Sequence, residues 1–228
     1  MANFDINPSA GDSLETRDRI KQAARLLFIE HGIDNVSVRQ IVAAAGQRHV
    51  GAIAYYFSSK DALVEEILAE GAKIIDDLRN AGLDQIEAQG RQPTLHEVVS
   101  LIIRSSIAPD VEDGDTFVSF FTVFTLRNRQ MFQRVVINRH DAGYKRCIDY
   151  IRELLPNVPR TVLNERIVSM MLAIGNSLAA WEAAAGPSEE IDGVIGARAL
   201  RSPTYLDTLT DFCVGGLSCI PFEQASAG

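Results

Sequence analysis

The chain has 228 residues, 46% of them hydrophobic and 23% charged, with a formal net charge of −8. That composition is ordinary for a folded protein and excludes collagen-like, low-complexity and disordered scaffolds. The length allows one large domain or a small one joined to a larger one.

The longest weakly polar run, residues 167–181, contains Ser169, Asn176 and Ser177 and is shorter than the roughly 20 apolar residues a membrane span needs. The first residues have neither the basic start nor the apolar stretch of a signal peptide. Cys147, Cys213 and Cys219 form neither an even disulfide set nor a close metal-ligand cluster. The cytoplasm is the expected compartment, with no membrane partner. The charge is unevenly placed. Residues 1–60 hold seven basic and six acidic residues and the remainder fifteen and twenty-four, so −8 divides into +1 and −9. Such asymmetry hints at divided labour between segments and keeps a nucleic-acid partner open.

In chain order, residues 1–13 lack periodicity and read as a flexible leader. A helix is expected from about Thr16, with Ile20, Ala23, Ala24, Leu27 and Phe28 on one face and a stop at Gly32. Ser37 to Gln40 matches a capping box that starts a short second helix, with Val38, Ile41, Val42 and Ala45 as its stripe and Gly46 as its end. A third short helix is expected over 48–56. A fourth starts at Ser58 to Asp61 and runs through Leu63, Ile67, Leu68, Ile74, Ile75 and Leu78. Three short helices, the last two joined by a Gly-containing turn, form a helix-turn-helix pattern, although a plain helical bundle has the same periodicity.

Beyond residue 80 breaks are expected at 90–93, 109–114, 156–159 and 186–203, with bundle-length helices between them. Residues 116–126 are apolar almost all round, so that helix belongs inside a domain. No strand alternation appears, and the fold class is all-α.

The segments from Thr16 to Phe28 with His31 and Gly32, from Ser37 to Val42 with Ala45 and Gly46, and from Ala52 to Leu63 resemble the first four helices of TetR-family transcriptional regulators. The stretch from Gly46 to Phe57 is one residue longer than the commonest family form. The resemblance implies a helix-turn-helix DNA-binding domain over 14–60 and a helical ligand-binding and dimerisation domain over 61–228. It also implies a dimer on a palindromic DNA operator, built from helices near 160–185 and 204–219, and release by a small-molecule effector. Repressor is the commoner role in the family.

Several residues suit the DNA side. Gln47, Arg48, His49, Val50 and Gly51 form the turn and the start of the recognition helix. Arg48 and His49 have the chemistry to reach base edges or phosphates, and Gly51, Ala52 and Ala54 let the backbone approach a major groove. Tyr55 and Tyr56 carry hydroxyls suited to phosphate, but aromatics at this spacing also suit a core; the resemblance favours Tyr55 as a phosphate contact. Ser37 with Arg39, Ser59 with Lys60, and Arg17 place hydroxyls or cations at helix starts, where phosphate binds. Ordinary capping is the plainer reading.

On the sensor side Phe117, Phe120 and Phe124 share a face, and Met170, Met171 and Trp181 add apolar lining, although each also suits plain core. Along the expected helix 132–154, Arg139, His140 and Tyr144 fall beside the apolar face, and Arg104 poses the same question on the helix 95–107. A buried cation needs a partner, either a protein acid or a ligand carboxylate, so an aromatic or acyl anionic effector is expected. Four scattered histidines and the absence of a Gly-rich phosphate loop or nucleophile arrangement leave no catalytic residue, cofactor or metal to expect. A ligand-binding helical protein without operator binding, and an all-α enzyme, remain open as alternatives.

Overall fold

Helix α1 (Ala10–His31) is the first element of a computed structural model that describes residues 10–49, 51–107, 117–184 and 197–219. It begins a turn and a half before the expected Thr16, inside the presumptive leader. The sequence of its early turns has no apolar stripe, so periodicity had nothing to mark. Gly32, at φ +78, ends it. Helix α2 (Val38–Ala44) starts from the expected capping box, in which Ser37 Oγ accepts from the Gln40 N–H and the Gln40 side chain reaches the Ser37 N–H. It ends on Gly46 at φ +68, with the Gln47 N–H donating to Val42 O at 2.9 Å and the Gly46 N–H to Ala43 O at 3.0 Å. These are the paired bonds of a Schellman cap, which asks for a left-handed residue where glycine stands. Helix α3 (Gly51–Phe57) follows, and then α4 (Lys60–Glu87), whose first turn is held by Ser59 Oγ accepting from the Ala62 N–H.

The chain divides into two units, residues 1–68 and 69–228, and the division falls within α4 rather than after Lys60. The reason is burial: Leu63, Val64 and Ile67, in the first turns of α4, are core residues of the N-terminal unit together with Ile20, Phe28, Ile41, Ile53 and Phe57.

In the second unit α5 (Leu95–Ser105) begins at a capping box of Thr94 and Glu97. Helix α6 (Phe117–Arg127) follows, and the expected break at 109–114 lies outside the described residues. The expected single helix over 132–154 is two helices, α7 (Arg129–Val135) and α8 (Ala142–Leu154), separated by a turn with Asn138 at φ 63. Asparagine tolerates that left-handed conformation better than most residues. Helix α9 (Arg160–Ala183), the four-residue α10 (Ala197–Leu200) and α11 (Tyr205–Ser218) complete the described elements. All regular elements among the described residues are helices, and none of these is long and apolar enough to cross a membrane.

The core of this unit joins Leu83, Val98, Ile102, Ile103, Cys147, Ile151, Leu163, Ile167, Ile174, Leu209, Cys213 and Leu217, so α4, α5, α8, α9 and α11 all contribute to it. Helix α6 is tied to α9 by polar bonds at its start and at its middle. The Glu182 carboxylate accepts from the free N–H groups of Val118 (3.0 Å) and Ser119 (2.7 Å), and Thr122 Oγ1 donates to Gly175 O at 3.2 Å.

Helix α8 meets α4 through backbone. A Cβ placed on Gly143 would lie 2.8 Å from Asp76 O, 3.1 Å from Asn80 N and 2.7 Å from Arg79 Cβ. Two of these are backbone atoms that cannot rotate away. Gly143→Ala is therefore expected to lower unfolding stability by about 1–3 kcal/mol, measured by denaturant unfolding. Gly82→Ala is expected to cost less, because its Cβ would meet only the Leu101 side chain; equal losses in the two variants would refute this account of the α4–α8 contact.

Candidate nucleic-acid interface and effector cavity

In the N-terminal unit α3 exposes one face. Gly51, Ala54 and Tyr55 are exposed, Tyr55 at 68%, while Ile53 and Phe57 anchor the opposite face in the core. Ala52 and Tyr56 are half-buried, and the Tyr56 ring meets the Tyr55 ring edge-on at 4.9 Å. A Cβ on Gly51 would meet nothing, so the helix start is open to solvent. Arg48 and His49 are exposed just before it, with Gln47 half-buried in the Schellman cap. Val50 lies outside the described residues. Ser37 and Arg39 are exposed at the start of α2.

Two of the cations expected at phosphates are instead engaged within the unit. Arg17 is not at a helix start, because α1 begins seven residues earlier. Its guanidinium grips the Glu66 carboxylate through two nitrogens, with Nε donating at 2.7 Å, reaches the Tyr56 carbonyl at the end of α3, and lies 4.4 Å from the Phe57 ring centre. Lys21 joins it at 3.1 Å from Glu66 Oε1. Lys60 Nζ donates to Ile33 O (2.8 Å) and Val36 O (2.9 Å), so its ammonium closes the loop between α1 and α2.

The second unit contains a cavity of about 390 Å³ between α4, α6, α7, α8 and α9, within the about 300–1,000 Å³ range of small-molecule sites. Its apolar wall includes Ile75, Phe121, Phe132, Val136 and Met171, and its polar groups are Arg79, Ser106, Thr122, Thr125, His140, Asp141, Tyr144 and Asn176. Val168 and Leu172 also line it and are 59% and 48% exposed, which marks its mouth. Burial pushes the Tyr144 phenol up, against the opposing pull of the Arg79 charge.

Residues 20–67 match the family described as bacterial regulatory proteins, tetR family. The match lies within the N-terminal unit, and it is that unit which resembles TetR-family regulators. Over 86 residues it is 30% identical to the HTH-type transcriptional regulator YttP of Bacillus subtilis (strain 168), a match covering 38% of this chain and 41% of that protein. The chain thus aligns with less than half the length of that relative. A crystal structure assigned to the tetR family of transcription regulators, from Shewanella sp. PV-4, superposes with a TM-score of 0.58 at 13% identity, covering 90% of this chain and 99% of that one. At that identity the likeness speaks for the fold alone.

Of the residues that the sequence nominates for a TetR-type effector, His140, Tyr144 and Met171 line the cavity. Phe120 and Phe124 do not; they are buried elsewhere, their rings 5.6 Å apart. The Phe117 side chain lies outside the described residues. On α6 the cavity face is instead Val118, Phe121, Thr122 and Thr125. A helix that is apolar almost all round gives periodicity little means of choosing between its faces. Arg104 is exposed and bridges to Asp207 on α11 at 2.5 Å. Arg139 is exposed in the α7–α8 turn, because the helix that would have carried it inward is broken there. Trp181 sits beneath Arg201, 5.7 Å from its guanidinium carbon, away from the cavity lining.

Sequence reasoning passed over Arg79, although the signal was present: Leu68, Ala72, Ile75 and Arg79 recur at helical spacing, so the charge stands on an apolar stripe. Among the described residues no group of His, Cys, Asp and Glu is arranged to hold a metal.

The Glu66 cluster has a pH signature. Burial alone would raise the Glu66 carboxyl, but the hydrogen bonds and charges of Arg17 and Lys21 outweigh it and hold the group below its ordinary value. A lowered carboxylate pKa stabilises the fold above the unfolded-state value, about 4.3, and that stabilisation fades as pH falls through the folded-state value. The thermal-stability gap between the wild type and Glu66→Gln is expected to be constant above about pH 5–6 and to shrink steadily below about pH 4. A gap independent of pH would show that Arg17 and Lys21 do not act on the ionised carboxylate.

Proposed function

We propose that the chain is a ligand-responsive transcriptional regulator, a repressor that binds a palindromic DNA operator as a homodimer and is released by a small molecule bound in the cavity. The observation that carries this reading is the open face of α3. There Gly51, Ala54 and Tyr55, led by Arg48 and His49, present small and hydrogen-bonding groups from a helix whose opposite face is locked in the core. Only a small residue lets a helix backbone approach base edges closely, and only exposed cations and hydroxyls are available to phosphates. Arg39, Arg48, His49 and Tyr55 answer to that requirement, with the Ser37 hydroxyl at the start of α2.

A unit with so few available cations gains limited affinity from counterion release, and a two-fold dimer doubles it. Helix α11 keeps an apolar side that the core does not use. Leu209, Cys213 and Leu217 of α11 point into the core, whereas Phe212 is 69% exposed, beside Gly215 and Gly216, at which an added Cβ would meet nothing. The small residues permit close approach of a second helix. Helix α4 carries both the head residue Lys60 and the cavity residue Arg79. A ligand that favours one setting of α4 would shift the dimer between operator-bound and free populations.

A gel shift on the DNA upstream of the chain's own coding sequence, titrated with salt, tests the reading. Arg48→Ala is expected to weaken binding and to flatten the slope of log affinity against log salt by about 2, one phosphate contact for each protomer of a dimer. Tyr55→Ala is expected to weaken binding with little change in slope. Lys60→Met is expected to weaken it through a less stable head, with a lowered melting temperature and an unchanged slope. No sequence-specific shift with any of the wild-type preparations would leave a ligand-binding scaffold or an enzyme as the surviving reading. Separately, Phe212→Glu is expected to turn a dimer into a monomer in sedimentation velocity at micromolar protein; an unchanged dimer would place the interface elsewhere.

A further inference from the structure

Arg79 is the least ordinary residue of the cavity. Only 8% of its surface is exposed, yet it forms no ion pair among the described residues. Nε donates to Ser105 Oγ at 3.1 Å, Nη2 donates to Ser106 Oγ at 3.2 Å, and the Tyr144 ring centre is 5.9 Å from the guanidinium carbon. Two hydroxyls and a ring face are weak company for a buried cation, which normally takes a carboxylate. The nearby acids have other partners. Asp76 Oδ1 accepts the Gly143 N–H at 2.7 Å and Oδ2 takes Asn80 Nδ2 at 3.4 Å, while Asp141 pairs with Lys145 at 3.1 Å. Arg79 and Ser106 both face the cavity, and Asp76 does not.

We propose that the cavity takes an amphipathic monocarboxylate, with its carboxylate against the Arg79 guanidinium and the Ser106 hydroxyl and its apolar body among Phe121, Phe132 and Met171. The guanidinium has donors to spare and a planar fork suited to a carboxylate. The charge count favours a single negative charge. Among the described residues Arg79 is the one cavity cation without an ion-pair partner, the buried Asp76 carboxylate already offsets part of its charge, and Asp141 lies on the wall, so a dianionic phosphate would bring a second charge with nothing to meet it. The mostly apolar wall likewise disfavours a sugar phosphate. This assignment rests on the cavity being the effector site of the proposed regulator, and it names the residue and the ligand chemistry at that site.

Isothermal titration calorimetry on the full chain at pH 7.5, with octanoate and 3-phenylpropionate each matched to its primary amide, tests it. At least one acid is expected to bind about tenfold or more tightly than its amide, the difference that a charge-assisted hydrogen bond supplies. Arg79→Met is expected to abolish the preference, Arg79→Lys to keep part of it, and Ser106→Ala to weaken the acid several-fold while leaving the amide unchanged. Should Arg79→Met fail to fold, as judged by circular dichroism, Arg79→Lys and Ser106→Ala decide. Amides binding as well as acids, neither acid binding, or a preference that survives these substitutions would overturn the assignment. Repeating the gel shift with each ligand separates the two claims. An acid that binds through Arg79 without changing DNA affinity keeps the anion site and sinks the effector reading. A neutral compound that binds and releases DNA does the reverse.

Discussion

The closest constraint in the second unit is the backbone contact of α8 with α4 at Gly143. Its N–H donates to the Asp76 carboxylate at 2.7 Å, and its missing Cβ leaves room for Asp76 O and Asn80 N. Helices that meet through side chains keep axes about 8–10 Å apart, and a glycine at the crossing draws them closer. That approach places Tyr144 over Arg79 and holds the α7–α8 turn, with His140, at the cavity wall. The same α4 turn hands Arg79 to the serines at the end of α5. Cavity shape and cavity charge thus depend on one contact between backbones.

In the head the governing fact is how its cations are divided. Arg17, Lys21 and Lys60 serve the fold: the first two hold Glu66, and Lys60 ties off the carbonyls between α1 and α2. Arg39 and Arg48 are left exposed. Net charge says little about such a protein, because a cation that satisfies buried carbonyls is unavailable to a phosphate. The −8 of the whole chain describes solubility and self-repulsion better than it describes any partner.

Most of the helices were legible in the sequence because their signals are local. The capping box at Ser37, the left-handed glycines at 32 and 46 and the apolar stripes of α2 and α4 each act within a turn or two. Where the signal was missing or symmetrical, reading failed. The sequence of the early turns of α1 has no apolar stripe, α6 is apolar almost all round, and Asn138 interrupts a pattern that otherwise runs as one helix. The site residues divide in the same way. His140, Tyr144 and Met171 were visible as polar or soft groups beside an apolar face, whereas Arg104 and Arg139 looked equivalent and are exposed.

By itself, then, the sequence determined an all-α chain that opens on a helix-turn-helix pattern, because capping, glycine stops and 3.6-residue periodicity are local properties. Tertiary structure alone decided which cations are free. Arg17 and Lys60 sit at promising places in the chain, but their partners, Glu66 and the carbonyls of Ile33 and Val36, are 49, 27 and 24 residues away. It also decided that Arg79 faces a cavity, since a void exists only where four or five helices fail to fill the space between them. No single helix carries the information to say where that failure falls.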